Sequence, residues 1–157
     1  MARRHRATKM EIVADPKFNS ELVAHLVNHV MRRGKKSVAM GIIYDALDHV
    51  KEKMAGEDPL EVLIRAIDNV KPKVEVKSRR VGGVTYQVPI EVDPGRQLGL
   101  ALRWMIQFSK TRKGLPMWRA MALEIMDAYN EQGNTVKKRD DVHKMAQANK
   151  AFAHYRW

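Results

Sequence analysis

VKSRRVGGVTYQVP, residues 76–89, is the stretch that decides the fold, because its apolar residues do not follow the helical spacing of the flanking segments. Two short runs flank Gly82 and Gly83, and paired glycines supply the positive φ angles of a tight hairpin turn. We therefore predict a β-hairpin over residues 74–91. Counting back from the turn gives the cross-strand pairs Arg80–Thr85, Arg79–Tyr86, Ser78–Gln87 and Lys77–Val88.

The predicted hairpin carries much charge for so small an element. Lys77, Arg79 and Arg80 crowd its first strand, and neither face is apolar enough to join a core. Pro89 marks an unextended edge, since proline cannot donate a ladder hydrogen bond. The ribbon is therefore expected to project from the body, with arms on the order of 25 Å long at ~3.4 Å per residue. Tyr86 has two open interpretations: it stacks on a base, or it shields the aliphatic stem of Arg79.

The rest of the chain predicts six helices, because apolar residues recur at the three-to-four spacing of a single buried face. The expected boundaries are Asn19–Ser20 and Gly34 for the first helix, Gly56 for the end of the second, Asp58–Pro59 and Pro72 for the third, Asp93–Pro94 for the start of the fourth, Pro116 for the start of the fifth, and about 136–154 for the last. The aspartates suit N-caps, and proline loses no hydrogen bond at the first helical position. The fold class is therefore mainly α: one domain over residues 1–157, with the hairpin between the third and fourth helices.

The two ends of the chain differ from this helical body. Residues 1–18 lack apolar periodicity and predict a flexible basic arm. Residues 136–157 predict a weakly amphipathic helix that crosses the body and runs off as a tail. In the second helix, the expected buried stripe is Val38, Ile42, Ile43, Ala46, Leu47, Val50 and Met54.

Composition restricts the functional classes. The 157 residues include 29 Lys and Arg against 18 Asp and Glu, a net charge of +11, which favours a polyanionic partner. The chain has no cysteine, so disulfides, thiolate nucleophiles and cysteine-based zinc sites are excluded. No apolar run reaches the ~18 residues of a membrane span, and the N-terminus lacks the apolar region of a signal peptide. We expect a soluble, cytoplasmic polyanion-binding protein.

The basic residues cluster on loops, termini and the hairpin, whereas acidic residues fall mainly on the second and third helices. Inert surfaces usually mix the two signs, so this clustering favours contact with phosphates. Cations on loops, an arm and a ribbon suit an irregular folded RNA better than duplex DNA. The candidate contacts are Arg3, Arg4, Arg6, Lys9, Arg32, Arg33, Lys35, Lys36, Lys71, Lys73, Lys77, Arg79, Arg80, Arg96, Arg103, Lys110, Arg112, Lys113, Arg119, Lys137, Lys138 and Arg139.

Two stretches partly match catalytic motifs, and neither match is complete. His25 and His29 have the spacing of metal ligands, but Leu26 stands where a zinc protease needs glutamate, and a third ligand is missing. RRGKKSV, residues 32–38, lacks both the leading glycine and the hydroxyl residue of a phosphate-binding loop. The sequence therefore predicts no enzyme, no cofactor and no metal.

Three stretches carry a resemblance to a known family: DPKFNSELVAHLVNHVMRRGKKSVAMGIIYDAL (15–47), NVKPKVEVKSRRVGGVTYQVPIEV (69–92) and KKRDDVHKMAQANKAFAHYRW (137–157). They resemble bacterial small-subunit ribosomal protein seven, over nearly the whole chain and in the family's order. The resemblance implies six helices with a hairpin between the third and fourth. Asp93 departs from the arginine that relatives often carry, which exchanges a phosphate contact for a helix cap. Pro116 likewise replaces a small polar residue.

The same resemblance implies a function. A member of this family is a primary binder of small-subunit (16S) rRNA that nucleates assembly of the subunit head. It lies at the subunit interface near the decoding centre, beside E-site tRNA and the mRNA exit path, and touches neighbouring ribosomal proteins. The rRNA-facing residues would include Arg3, Arg4, Lys35, Lys36, Arg79, Arg80 and 137–139. Those near the E site would be Arg79, Arg80, Val81, Gly82, Gly83, Lys144, Tyr155, Arg156 and Trp157.

Two other functions fit the same charge. One is an RNA-binding translational repressor of its own mRNA, and the other is a basic DNA-compacting protein. Salt dependence of binding does not separate them, because all three would neutralise phosphates. Competition between a small-subunit rRNA fragment and duplex DNA does separate them.

Overall fold

The computed structural model describes residues 11–155, which form six α-helices, one two-stranded antiparallel sheet and a short 3-10 helix. In chain order these are α1 (Glu21–Val30), α2 (Lys36–Lys53), α3 (Pro59–Val70), β1 (Val74–Val81), β2 (Val84–Glu91), α4 (Pro94–Thr111), α5 (Met117–Tyr129), α6 (Gly133–Ala148) and the C-terminal 3-10 helix (Lys150–Tyr155). The prediction of a mainly α fold with a hairpin between the third and fourth helices is confirmed.

Local sequence signals set several boundaries. The Asp58 carboxylate accepts a hydrogen bond from the Leu60 backbone N–H at 3.2 Å, with Pro59 opening α3. Asp93 does the same for the Gly95 N–H at 3.2 Å, ahead of Pro94 and α4. Both predicted N-caps are therefore confirmed, and each satisfies a backbone donor that a helix start leaves unpaired.

The hairpin has the predicted register. β1 and β2 pair antiparallel, with Arg79 opposite Tyr86 and Val81 opposite Val84. Gly82 and Gly83 lie between them at φ 57° and 89°, the left-handed region that glycine occupies without a steric penalty. All four cross-strand pairs counted from the turn are confirmed.

The hydrophobic core forms around α5, which packs against α2, α3, α4 and α6. Leu47, Leu63, Met105, Met121 and Ile125 are fully buried there. Each such side chain contributes about 2 kcal/mol by leaving water, so these contacts hold α5 to its neighbouring helices.

The boundaries of two helices differ from expectation. α1 ends at Val30 rather than Gly34, because Arg33 (φ 52°) and Gly34 (φ 72°) form a left-handed turn that directs the chain into α2. The last helix begins at Gly133 and ends at Ala148, instead of spanning about 136–154. Residues Lys150–Tyr155 form a separate 3-10 helix.

The buried stripe of α2 was predicted wrongly at one end. Ala39, Ile43, Ala46, Leu47 and Val50 are buried as a core face requires. Val38 is 58% exposed. It lies in the first turn of α2, beside a groove in the surface rather than under a neighbouring helix.

Within the predicted arm, residues 15–18 are held against α2. The buried Asp15 carboxylate accepts hydrogen bonds from the Lys17 and Phe18 backbone N–H groups and from the Tyr44 hydroxyl at 2.6 Å. Burial and this hydrogen bond raise the pKa of Tyr44 to about 12. The Asp15 carboxylate thereby fixes the residues directly before α1, and the prediction of a flexible basic arm over residues 1–18 stays a prediction. Arg3, Arg4, Arg6 and Lys9 lie outside the described residues.

Residues Lys150–Tyr155 fold back onto the hairpin, whereas the sequence analysis expected the C-terminal segment to run off as a tail. The ring of Tyr86 lies 5.0 Å from that of Tyr155 and 5.3 Å from that of Phe152, between centroids. Arg79 donates a hydrogen bond to the Tyr155 carbonyl oxygen. Tyr86 therefore contacts the protein's own C-terminal helix. Arg156 and Trp157 lie outside the described residues.

The expectation that neither hairpin face would be apolar enough to join a core is wrong for the base of the hairpin. Val88 is buried, and β1 packs against α6. Only the part nearest the turn, with Gly82, Gly83 and Val84 exposed, matches a projecting ribbon.

Candidate nucleic-acid interface

Two adjoining surface grooves bring together cations from separate elements. The first, of about 360 Å³, lies where the α1–α2 connection and α2 meet the C-terminal end of α4, with Arg32, Lys35 and Lys110 around it. The second, of about 380 Å³, lies between α1 and α4 and is lined by Arg103 and again by Lys110. Lys110 therefore joins the two grooves into one surface, which we call the cationic face: Arg32, Lys35, Arg103 and Lys110.

The cationic face has no counter-charge of its own. Among the residues that the structure describes, no carboxylate lines either groove. Across residues 11–155, none of its four cations forms an ion pair. Burial lowers the pKa of Lys110 from its ordinary value, and the charge of Arg32 lowers it further. Cations that converge in this way favour an anionic ligand.

Other predicted contacts are engaged inside the protein. Arg112 holds the carboxylate of Glu124 at 2.7 Å and also pairs with Asp127. Although burial acts to lower it, hydrogen bonds with Asp127 and Glu124 raise the pKa of Arg112. Arg139 pairs with Asp140 at 2.7 Å and donates to the Asn69 carbonyl oxygen. The guanidinium groups of Arg112 and Arg139 thus connect helices to one another.

Two further cations form surface ion pairs. Arg96 contacts Glu75 with two nitrogens at 2.8 and 3.0 Å, which links the start of α4 to β1. Lys71 contacts Asp68 at 2.7 Å. The Lys71–Asp68 pair is the more exposed of the two and is worth at most about 1 kcal/mol, so a phosphate can displace its carboxylate. The Glu75 carboxylate is only 14% exposed and binds two nitrogens of Arg96, which makes that pair harder to displace.

The remaining predicted cations lie at the surface. Arg80 donates to the Gly83 carbonyl oxygen at 3.4 Å beside the hairpin turn. The backbone N–H of Lys73, at the hairpin base, donates to His143 Nε2 at 3.0 Å, while its side chain remains exposed. The other exposed members are Arg33, Lys36, Lys77, Lys113, Arg119, Lys137, Lys138 and Lys144.

Glu124 is the polar residue that the sequence analysis missed. Its side chain is 1% exposed and accepts hydrogen bonds from Arg112 and from the Thr135 backbone and hydroxyl, joining α4, α5 and α6. A signal was present in the sequence. Glu124 stands three residues after Met121 and four before Ala128, within the buried stripe of α5.

The histidine pair gives no metal site. His29 Nδ1 lies 2.9 Å from the His25 carbonyl oxygen, one turn back on α1. Over residues 11–155, no three His, Cys, Asp or Glu side chains are placed to hold an ion together. In the same range, no helix combines the length and hydrophobicity of a bilayer span.

A mainly helical body with a cationic face and a hairpin is typical of a nucleic-acid-binding structural protein, and comparison with known proteins is more specific. A family model described as ribosomal protein S7p/S5e matches residues 2–150. Proteins named small ribosomal subunit protein uS7 from Akkermansia muciniphila and Dictyoglomus turgidum are each 57% identical over 157 residues, and one from Desulfotalea psychrophila is 55% identical, covering all of both chains in every case. The chain belongs to the ribosomal protein S7p/S5e family.

Membership settles the general role. The chain is a structural constituent of the small ribosomal subunit and not an enzyme. The resemblance read from residues 15–47, 69–92 and 137–157 is therefore confirmed.

Proposed function

We propose that the chain is a primary binder of small-subunit (16S) rRNA that nucleates assembly of the subunit head. The observation that carries this proposal is the cationic face, where four cations converge without a carboxylate partner in the described chain. Bringing like charges together is unfavourable unless an anion joins them. A row of rRNA phosphates supplies such anions, and it releases counterions on binding.

The geometry favours a folded RNA as the partner. Arg32 and Lys35 come from a connection between helices, whereas Arg103 and Lys110 lie on α4. No single helix could place all four in one groove of a duplex. Cations from several elements instead match an irregular backbone that is recognised by its shape.

Within this proposal, the predicted contacts divide by their surroundings. The cationic face and the exposed cations make the primary contacts. Arg112 and Arg139 hold the protein scaffold in place and contribute indirectly. Arg96 and Lys71 contribute only where a phosphate displaces their carboxylates. Arg3, Arg4, Arg6 and Lys9 belong to the proposed contacts on sequence grounds alone.

We further propose that the hairpin turn lies near the decoding centre, beside E-site tRNA and mRNA, with neighbouring ribosomal proteins close by. Arg79, Arg80 and the Val81–Gly83 turn would face this region, together with Lys144 and the C-terminal Tyr155–Trp157. The exposure of the turn, which lines neither groove of the cationic face, supports a second contact region. Contacts there would contribute little to primary rRNA affinity.

Competitive binding tests the rRNA assignment. A labelled fragment of 16S rRNA from the head of the small subunit is bound to the full chain, and unlabelled competitors are added at fixed salt. We expect unlabelled rRNA fragment to compete orders of magnitude better than duplex DNA, as specific sites do over non-specific ones. Equal competition by duplex DNA would show a general DNA-binding protein instead.

The leader of the protein's own mRNA serves as a third competitor. Competition by the leader close to that of the rRNA would add a repressor role without removing the ribosomal one.

The hairpin position is tested by the R79A/R80A double variant in reconstituted subunits. We expect weaker footprints on E-site tRNA with nearly unchanged rRNA affinity, and the reverse pattern would reject the proposed position.

A further inference from the structure

The first groove of the cationic face has an apolar interior, which phosphate binding does not use. Val38 is 58% exposed on its wall, and the half-buried Ile42 and Met117 complete the surface between the cations. An exposed valine between three cations leaves apolar area in contact with water. Such area is a source of binding free energy for a ligand that covers it.

The charges and the apolar wall together specify the chemistry of the ligand. Arg32, Lys35 and Lys110 surround the opening and favour anions, whereas the interior favours a flat or bulky apolar group. The volume of about 360 Å³ lies at the low end of the 300–1,000 Å³ typical of sites for small ligands. One unstacked nucleotide has both properties, because its base is a flat ring and its flanking phosphates are anionic.

Paired RNA cannot fill this groove, because an A-form helix keeps its bases stacked and presents phosphates and hydroxyls outward. Single-stranded loops and bulges can extend a base toward a protein surface. Met117 suits such a contact, since its thioether is polarizable and its side chain adapts to a ring.

We propose that this groove receives one unstacked base of the bound rRNA, which packs against Val38, Ile42 and Met117 while Arg32, Lys35 and Lys110 contact its flanking phosphates. This inference rests on the proposed rRNA binding and adds a base contact to it. It predicts that the base at one nucleotide position in the bound RNA adds to the affinity by apolar contact. Phosphate contacts alone carry no information about the base.

Three variants separate base insertion from phosphate contact. V38S removes apolar wall without changing charge, and K110M removes one cation. I64S is the matched control, because Ile64 is also an exposed aliphatic residue, 42% accessible, on α3. Affinity for the rRNA fragment is measured for each over a range of salt concentrations, and folding is checked by thermal unfolding.

The expected results differ in kind. V38S should weaken binding by on the order of fivefold at every salt concentration, because serine offers less apolar surface to the base than valine does. The slope of log affinity against log salt concentration should stay unchanged, because no charge is removed. K110M should reduce the slope by about one unit, as loss of a phosphate contact does. I64S should bind like the wild type.

Base-reactive footprinting identifies the nucleotide that loses protection in V38S. An abasic residue at that nucleotide should weaken wild-type binding by the same factor, and V38S should then have no further effect. Any of three results would overturn the base insertion. V38S could bind with wild-type affinity, it could change the salt slope, or its effect could simply add to that of the abasic residue. Failure of the wild type to bind the fragment at all would overturn the rRNA assignment as well, so the two outcomes are distinguishable.

Discussion

Lys110 and Arg112 lie two residues apart in the sequence, yet their surroundings are opposite. Arg112 is 27% exposed and holds the carboxylates of Glu124 and Asp127. Lys110 faces Arg32 across a groove whose described lining includes no carboxylate. Arg112 stabilises the fold, and Lys110 is available to a partner. Proximity in sequence therefore does not decide which of these roles a basic residue has.

The two residues differ in whether a carboxylate of the same chain replaces the water that the charged group loses on folding. Arg112 loses water on folding, and two carboxylates replace that water within the same chain. Lys110 also loses water, which lowers its pKa, but no carboxylate in the described structure compensates it. Binding of a phosphate would restore the favourable environment of the ammonium group.

The largest expected effect comes from breaking the internal pair. E124A leaves Arg112 and Thr135 without their buried acceptor, so we expect the free energy of unfolding to fall by on the order of 3 kcal/mol. Urea denaturation measures it. E52A removes an exposed carboxylate from α2 and should change stability by less than about 0.5 kcal/mol. A loss below about 1 kcal/mol in E124A would mean that the buried pair is not what joins α4 to α5.

The next effect separates paired from unpaired lysines at equal change in charge. K110M should weaken binding to the rRNA fragment about fivefold, which is about 1 kcal/mol, and lower the salt slope by about one. K71M removes a lysine that pairs with Asp68 at 2.7 Å. We expect it to leave the slope nearly unchanged. Equal slopes for the two variants would remove the distinction drawn between Lys110 and the paired cations.

A smaller effect concerns the hairpin, where a cation has a third kind of partner. Arg79 donates to the carbonyl oxygen of Tyr155, and the Tyr86 ring stacks on the ring of that same residue. Y86L should cost about 1 kcal/mol of local stability, the value of an aromatic pair. Hydrogen exchange should then accelerate in Lys150–Tyr155 but not in α5. Unchanged exchange in Lys150–Tyr155 would show that backbone contacts alone hold the C-terminal helix.

The smallest effect is a pH dependence at the hairpin base. Burial lowers the pKa of His143 below its ordinary value of 6.5, and the charges of Arg139 and Lys73 lower it further against the opposing effect of Asp140. The neutral ring accepts the Lys73 N–H at 3.0 Å. Its contribution to stability is therefore present above pH 6.5 and is lost as the pH falls through the lowered pKa.

We expect this contribution to be at most about 1 kcal/mol, the net value of one hydrogen bond. The wild type should lose its advantage over H143A when unfolding is measured at pH 5 instead of pH 7.5. A constant difference between the two proteins would exclude His143 as the titrating group.

Sequence reasoning succeeded where the determining interactions are local. Asp58 and Asp93 cap helices through groups two residues away, and the register of the hairpin follows from the Gly82–Gly83 turn. It failed for Val38, whose periodicity matches a core face although its side chain is 58% exposed. Periodicity identifies a face of a helix, but not whether a neighbour packs against each turn of it.

The same limit applied to the candidate site. The sequence indicated basic clusters on loops, and Arg32, Lys35 and Lys110 do meet in one groove. The positions of Glu124 and Asp127 relative to Arg112 could not be predicted, because the partners lie 12 and 15 residues apart on different elements. The contact of Lys150–Tyr155 with Tyr86 could not be predicted for the same reason.

The amino-acid sequence by itself determined the number and order of the helices, the register of the hairpin and the excess of positive charge, because propensity, capping and net charge depend on residue identity and near neighbours. The tertiary structure alone decided which cations are neutralised within the protein and which remain for a partner. That outcome depends on the distances between charges on separate elements, and packing sets those distances.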